Sequence, residues 1–408
     1  MSNLHRVLLL LLLITSGVLN YADRQIIAIL KLLMQGDLGW SDSDYGRLTS
    51  VFQLAAAISL LGAGWFVDKV GVRLANPLGV AAWSLAAIAH AFVRSLGAFT
   101  VVRVALGATE AVNTPAIIKS VAVWFRDRER PLVLGAMNAA GSLGAIVTPL
   151  AVAPLAQSVG WQGAFVIVGG LGFIWVACWL ALITRPGFPR TDHPATAQPA
   201  TGNVSWRVAL RDRRTWAIAG AKALSDQVWW FLLFWAPDLF HRVFGIAAAD
   251  LGAPVAMIYV GAATGSILGG VLSNRLSAAG FDLDRTRKTA LLVCALAVTP
   301  VALVPQIGSY GLAVALLGLT LAAHQGFSVN LFALIADVVP AERVGTVTSI
   351  GALAGNLAGM TILAITGWVL SLGRTYTPLL FWAAVSYLLA LAWIHLLLPR
   401  LQPAEAAA

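Results

Sequence analysis

Charge is scarce in this sequence. Asp, Glu, Lys and Arg make up 11% of its 408 residues, against about 25% in soluble domains. So few charges cannot clothe a water-facing surface, and an ordinary soluble globule is excluded. Cysteine is scarcer still. Cys178 and Cys294 are the two present, each inside an apolar run and far apart, so neither a disulfide framework nor a metal-ligand spacing follows. Acids are outnumbered by bases, 18 to 27, for a net charge of +9. Nucleic acid is not the implied partner, because the bases lie in short loops between apolar runs, the pattern that orients a membrane protein. The chain also lacks a nucleophile–base constellation, a phosphate-binding loop and any metal-binding motif. An enzyme, a cofactor and a metal are therefore not expected.

What is abundant is apolar sequence. Hydrophobic residues reach 59% and the mean hydropathy is +0.81. A bilayer span needs roughly 20 apolar residues. Windowed hydropathy predicts twelve spans, near 7–33, 47–67, 74–94, 97–119, 131–155 and 161–183, then 215–240, 251–275, 288–307, 309–336, 343–370 and 375–398. The leucine run at the N-terminus resembles a secretory signal core, but it continues past signal length and reads as the first span. The expected fold is all-α, with twelve transmembrane helices in two six-helix bundles. The expected domains are residues 1–183, a linker over 184–214 broken by Pro186, Pro189, Pro194 and Pro199, a second bundle over 215–400 and a tail over 401–408. Most Lys and Arg fall on one side if both termini are cytoplasmic. Arg126, Arg128 and Arg130 mark one inner loop, and Arg275, Arg285, Arg287 and Lys288 mark another.

Six spans, a linker and six spans suggest internal duplication. Gly64-Trp-Phe-Val-Asp68-Lys69-Val-Gly71-Val-Arg73 follows the second span, and Gly270-Val-Leu-Ser-Asn274-Arg275 follows the eighth as a degraded copy. Glycines recur every four residues at 261, 265 and 269 and again at 351, 355 and 359, a spacing that lets helix backbones approach closely. Repeats with a site at membrane mid-depth are a transporter architecture.

Charged residues at that depth are costly and mark functional sites. Asp23 and Arg24 lie inside the first span. Arg103, Gly107, Glu110 and Thr114 fall at i, i+4, i+7 and i+11, one helical face. A carboxyl at mid-span is balanced between desolvation, which favours its neutral form, and a nearby arginine, which favours its charged form. A guanidinium binds a carboxylate through two parallel hydrogen bonds, so Arg24 and Arg103 are both candidates for an anionic substrate. Sequence alone does not rank them. The second half supplies amides, hydroxyls and aromatics at Trp229, Trp230, His324, Gln325, Ser328, Asn330 and Asn356, suited to polyol hydroxyls and to the C–H face of a sugar. Asp226 is either a second proton site or a packing contact. Asp68, Lys69, Arg73 and Arg128 are expected to form gating ion pairs that hold one access state.

Gly64-xxx-Asp68-Lys69-x-Gly71-x-Arg73 resembles the signature loop of the major facilitator superfamily, and Arg103-xxx-Gly107 resembles a second motif of it. Asn20-Tyr-Ala-Asp-Arg-Gln25, Gly107-Ala-Thr-Glu-Ala-Val-Asn-Thr-Pro115, Ile118-Lys-Ser-Val-Ala-Val-Trp-Phe125, Val228-Trp-Trp-Phe231 and His324-Gln-Gly-Phe-Ser-Val-Asn-Leu-Phe332 resemble the anion:cation symporter branch, and within it the hexuronate transporters. The resemblance implies proton-coupled import of a small organic anion, with Asp23 and Glu110 as proton-coupling residues. It also implies substrate contacts from Tyr21, Arg24 and Asn138, and an acid-pairing role for Arg103. Two segments depart from the branch. Val112-Asn113-Thr114-Pro115 stands where it has Gly-Asn-Phe-Pro, and Asn138-Ala-Ala-Gly-Ser142 where it has Asn-Ser-Gly-Thr-Asn. The departures touch substrate choice more than mechanism.

The reading is a monomeric symporter in a bacterial inner membrane, with a proton and a sugar acid such as a hexuronate as cargo and a central cavity reached by Arg24 and Glu110. A non-sugar carboxylate, or antiport, on the same fold is the alternative. A membrane sensor is less well supported, because the segments between spans are too short for a signalling domain.

Overall fold

The computed structural model describes residues 3–126, 128–189 and 206–403, with the side chains of Pro131, Asn138, Trp206, Arg207 and Ala341 outside that description. Of the expected linker, residues 190–205 lie outside the described residues, as do residues 404–408 of the expected tail. Among the described residues regular structure is helical throughout, without a strand. In order the helices are α1 (Asn3–Leu38), α2 (Asp42–Val70), α3 (Val72–Ala89), α4 (Leu96–Glu110), α5 (Asn113–Trp124), α6 (Arg130–Ile183), α7 (Trp206–Arg211), α8 (Arg213–Phe244), α9 (Gly252–Ala278), α10 (Leu283–Val298), α11 (Tyr310–Val338), α12 (Val344–Ser371) and α13 (Thr377–Leu397).

Ten described stretches are long and apolar enough to cross a membrane. One of them, Leu132–Ile183, holds two spans, because α6 is interrupted at Gly160, whose φ of 72° and ψ of 173° are not helical. A side chain at that φ would be strained, so glycine is where the chain can turn back. The twelfth span is α8. It is 32 residues long but carries Lys222, Asp226 and Asp238, and it is not among the ten. Twelve transmembrane helices result, six in each of two bundles.

Close contacts divide the chain into two compact units, Met1–Gln198 with Ile246–Ala256, and Pro199–Gly245 with Met257–Ala408. In the first, α1 packs along α6, α2 along α4, and α3 along α6 and α4. A capping box at Ser41 and Asp44 starts α2. Gly71, with φ 82°, ends it and lets α3 begin one residue later. The fourth span is broken. Pro115 has no N–H to donate to Ala111, and α4 stops at Glu110 before α5 resumes at Asn113. Thr114 is therefore not on one unbroken face with Arg103 and Glu110, as the spacing predicts.

In the second unit the glycine rows decide the packing. A methyl group at Gly261, Gly265 or Gly269 of α9 would overlap the backbone of Gly318, Ala322 or Gly326 of α11. The row at Gly351, Gly355 and Gly359 on α12 faces Lys222, Asp226 and Trp230, spaced i, i+4 and i+8 on α8. Each glycine leaves room for a large side chain of the neighbouring helix. Large apolar side chains such as Ile267, Leu268 and Phe381 are exposed at the outer surface, as bilayer contact requires.

Gly265→Ala should force α9 off α11 and cost roughly 1–3 kcal/mol by overpacking. Gly270 on the same helix has open space around it. Gly270→Ala should be neutral or stabilising by up to about 1 kcal/mol through helix propensity. Thermal unfolding of the two variants in detergent checks the difference.

Candidate functional site

The site is built on α1 and α4. Arg24 and Glu110 meet there. Nε and Nη2 of Arg24 donate to one carboxylate oxygen of Glu110, Oε2, at 3.2 and 3.1 Å. The Glu110 side chain has no solvent exposure, and that of Arg24 has 15%. The other oxygen of Glu110, Oε1, is buried and has no hydrogen-bond partner among the described residues. Two donors thus converge on one oxygen and leave the second open.

Arg103 lies two turns before Glu110 on α4 and is completely buried. None of its three guanidinium nitrogens has a hydrogen-bond partner among the described residues. Its charge lies 5.0 Å above the Phe52 ring, and Arg24 sits 5.5 Å from the same ring. Such contact with an aromatic face is attractive once water is excluded. Gly107 makes the arrangement possible, because a methyl group there would strike the backbone carbonyl of Phe52. Asp23 is also buried. It interacts electrostatically with Arg103 and Glu110 and lies beside the Trp83 indole. Two acids and two arginines therefore form a formally neutral group at membrane depth, in which Arg24 pairs directly with Glu110.

A cavity of about 330 Å³ lies next to this group, within the range of small-molecule sites. Its polar lining is Asn20 and Tyr21 of α1 with Asn113 and Thr114 of α5. Asn20 is four residues before Arg24 on α1, about one turn, and Asn113 and Thr114 open α5 just past the break after Glu110. The sequence reading puts Arg24 and Glu110 at a cavity; among its lining residues are instead their neighbours along the chain. Asn20, Asn113 and Thr114 were not among the predicted ligands. The usable signal was that Asn20 opens the Asn20–Gln25 segment and that Pro115 breaks the fourth span beside Asn113. Tyr21 packs against α6, where Gly141 and Gly144 leave room for its ring. The side chain of Asn138 lies outside the described residues.

The second-half candidates are more often satisfied. Trp229 stacks on His324 at 5.2 Å. Nδ1 of His324 is 2.6 Å from the Tyr387 hydroxyl, which itself donates to the Ser225 carbonyl at 3.1 Å. A hydroxyl has one proton, so it accepts from Nδ1–H. Asn330 donates to the carbonyls of Gly269 and Gly326 and ties α9 to α11. Asn356 donates to the Ala352 carbonyl of its own helix. Trp230 packs against Gly359. Gln325 and Ser328 are half-buried on α11. Asp226 pairs with Lys222 at 2.7 Å, one turn away on α8.

Of the expected gating residues, Asp68 pairs with Lys119 at 2.8 Å. Lys69 lies over the Trp65 ring. Arg73 donates to the carbonyls of Ile183 and Pro189, fastening the start of α3 to the end of α6. Arg128 is exposed and makes no ion pair among the described residues, and Asp127 beside it lies outside them. Glu129 instead takes Arg6, at 3.1 Å. Sequence reasoning also passed over Lys31, a buried cation paired with Asp42 at 2.8 Å.

A family model described as Major Facilitator Superfamily matches residues 13–361. The chain belongs to the major facilitator superfamily. Within it, the chain is 27% identical over 401 residues to an Escherichia coli protein described as "Probable L-galactonate transporter", covering 95% of this chain and 88% of that one. It is 27% identical over 369 residues to the hexuronate transporter of the same species, covering 87% and 85%. Its backbone matches a crystal structure of a bacterial homologue of the human lysosomal transporter Spinster, with a TM-score of 0.81, 18% identity and full coverage of both chains. That likeness concerns the fold.

For this superfamily member the direct Arg24–Glu110 pair gives a sharp expectation. Removing one partner of a buried pair leaves the other charge uncompensated, at roughly 3–5 kcal/mol. Arg24→Ala should therefore destabilise the protein. Arg24→Ala combined with Glu110→Gln should recover most of the loss, because the orphaned charge is gone. A double-mutant cycle by thermal unfolding checks the coupling.

Proposed function

We propose that this protein is a proton-coupled symporter that imports a sugar acid by alternating access. The observation that carries the reading is the Arg24–Glu110 pair, whose arginine reaches solvent and whose carboxylate has one oxygen open. With Glu110 charged, the guanidinium is held on Oε2. A proton taken up at Oε1 neutralises the acid and loosens that hold. The fork of Arg24 is then available to a substrate carboxylate, which it matches bidentately. Occupation of the arginine by substrate in turn removes the cation that favours Glu110 as an anion. Proton and anion thus favour each other's binding, which is the coupling free energy a symporter needs.

Several features support the finer assignments. Arg24 is preferred to Arg103 as the anion ligand because Arg103 is wholly enclosed. Asp23, enclosed beside Arg103, is proposed as a second proton-coupling acid. The hydroxyls of a sugar acid would find Asn20, Asn113 and Thr114 in the adjacent cavity. The substrate class rests on the relatives, named as transporters of hexuronate and L-galactonate. A monomer in a bacterial inner membrane, with both termini and the 184–214 linker cytoplasmic, fits the distribution of the bases. Asp68, Arg73 and their partners are proposed to hold one access state from that side.

Reconstituted protein should accumulate galacturonate or galactonate inside liposomes when the outside is acidified. Glu110→Gln should lose accumulation and keep substrate exchange, since the amide resembles the protonated acid. Arg24→Lys should weaken binding roughly tenfold to a hundredfold, the value of a charged hydrogen bond. Uptake by Glu110→Gln that still follows the pH gradient would remove Glu110 from the proton path. Binding by Arg24→Ala as tight as wild type in calorimetry would transfer the anion site to Arg103.

A further inference from the structure

A second polar cavity lies in the second unit, far along the chain from the site above. It has a volume of about 370 Å³ and is lined by Asp212, Arg213 and Arg214 at the start of α8, Val338 at the end of α11, and Leu398, Arg400, Leu401 and Gln402 after α13. It therefore sits at the bundle end where α8 begins and α11 and α13 finish. Three of its residues are arginines and one is an acid. That acid is already engaged, for Oδ1 of Asp212 accepts from the backbone N–H of Arg214 at 2.9 Å, and its carboxylate lies 4.0 Å from Arg343. Among the described residues, Arg213, Arg214 and Arg400 have no ion pair with an acid.

Arg400 is not a loose tail residue. The carbonyl of Pro399 accepts from Lys288 at 2.6 Å, and the N–H of Leu401 donates to Asp284 at 2.9 Å. Leu401 is itself buried. The backbone is thus fastened on both sides of Arg400, which holds a third arginine at the cavity with the two of α8. Three like charges around one polar space give it a positive potential that an anion would offset.

The neighbouring surface indicates where that anion comes from. Trp216 is one turn beyond Arg213 and half exposed, its indole donating to the Leu210 carbonyl. Trp393, also exposed, donates to the Trp216 carbonyl. Val208 and Leu210 of α7 are exposed beside them. Paired indoles at a helix end mark the level of lipid headgroups. Basic pockets between helix ends at that level suit phospholipid phosphates.

We propose that this cavity binds the phosphate of an anionic phospholipid, held by Arg213, Arg214 and Arg400. The leaflet depends on the orientation given under the proposed function, in which this end is cytoplasmic; the binding itself does not.

The test uses purified full-length protein in detergent, titrated with phosphatidylglycerol, with phosphatidylcholine and with inorganic phosphate, and read by native mass spectrometry and melting temperature. Phosphatidylglycerol should bind and raise the melting temperature, while phosphatidylcholine and millimolar phosphate should not. Arg213→Gln, Arg214→Gln and Arg400→Gln together should weaken phosphatidylglycerol roughly 100-fold, at about fivefold per arginine. Should the triple variant not fold, Arg400→Gln alone decides, with the expected fivefold loss. Arg374→Gln, in the turn between α12 and α13, should leave affinity unchanged. Undiminished phosphatidylglycerol binding by the arginine variants would overturn the proposal. So would free phosphate binding as well as the lipid, which would make this a site for a soluble anion. Neither measurement involves transport, so failure here leaves the symport reading untouched, and failure of symport leaves this one.

Discussion

A partly exposed guanidinium on a buried carboxylate is the interaction on which the first unit depends. Arg24 and Glu110 belong to different spans, and their contact fixes α1 against α4 at membrane depth. Outside water neither charge is tolerable alone. Together they are stable, and the arrangement is open to exchange because the pair is lopsided. Both donors use one oxygen, and the other has no hydrogen-bond partner among the described residues. A symmetrical fork on two oxygens would be a better lock and a poorer switch.

Local sequence makes that contact possible. Pro115 cuts the fourth span just past Glu110, so the acid sits at a helix end rather than inside an unbroken ladder. Gly107 admits Phe52, whose ring then lies beneath both arginines. The same economy recurs in the second unit, where two glycine rows bring α9 onto α11 and α12 onto α8. Small residues there do more than permit tight packing. Gly355 receives Asp226 and Gly351 receives Lys222, so the groove in one helix houses the ion pair of another.

The fold was legible because it follows from long-range regularities: apolar run length, base distribution and glycine spacing. The break between α4 and α5 was legible only in part, since the i, i+4, i+7 face assumes a continuous helix and Pro115 ends it. Arg24 and Glu110 could be read as site candidates from their depth, yet their direct contact could not, for sequence spacing says nothing about which of two arginines on different helices reaches one acid. Side-chain satisfaction was the least legible property. His324 and Asn330 have the chemistry of ligands, but Nδ1 of His324 is taken by the Tyr387 hydroxyl and the amide nitrogen of Asn330 by two backbone carbonyls, while Oδ1 of Asn330 has no partner among the described residues. Lys31, which the sequence reading does not single out, has its side chain wholly enclosed against Asp42.

The two units consequently differ in how they hold polarity. In the first, Arg103 and one oxygen of Glu110 are enclosed without a hydrogen-bond partner among the described residues. In the second, the buried polar groups of α8 and α11 largely face partners: Asp226 with Lys222, Gln227 with Trp382, and Asp238 with Arg242 and Tyr376. Unsatisfied polar groups in a low-dielectric interior are costly, and a fold that keeps several of them together holds a reservoir that a proton or an anion can relieve. That concentrates the capacity to respond in the first unit. The ion pairs Lys222–Asp226, Asp238–Arg242 and Asp284–Lys288 of the second are each closed within a single helix turn, and Arg287–Asp337 joins α10 to α11. On this reasoning the response to a proton or an anion proposed above would fall on α1 and α4, while the second unit contributes shape, through helices held at backbone distance by glycine.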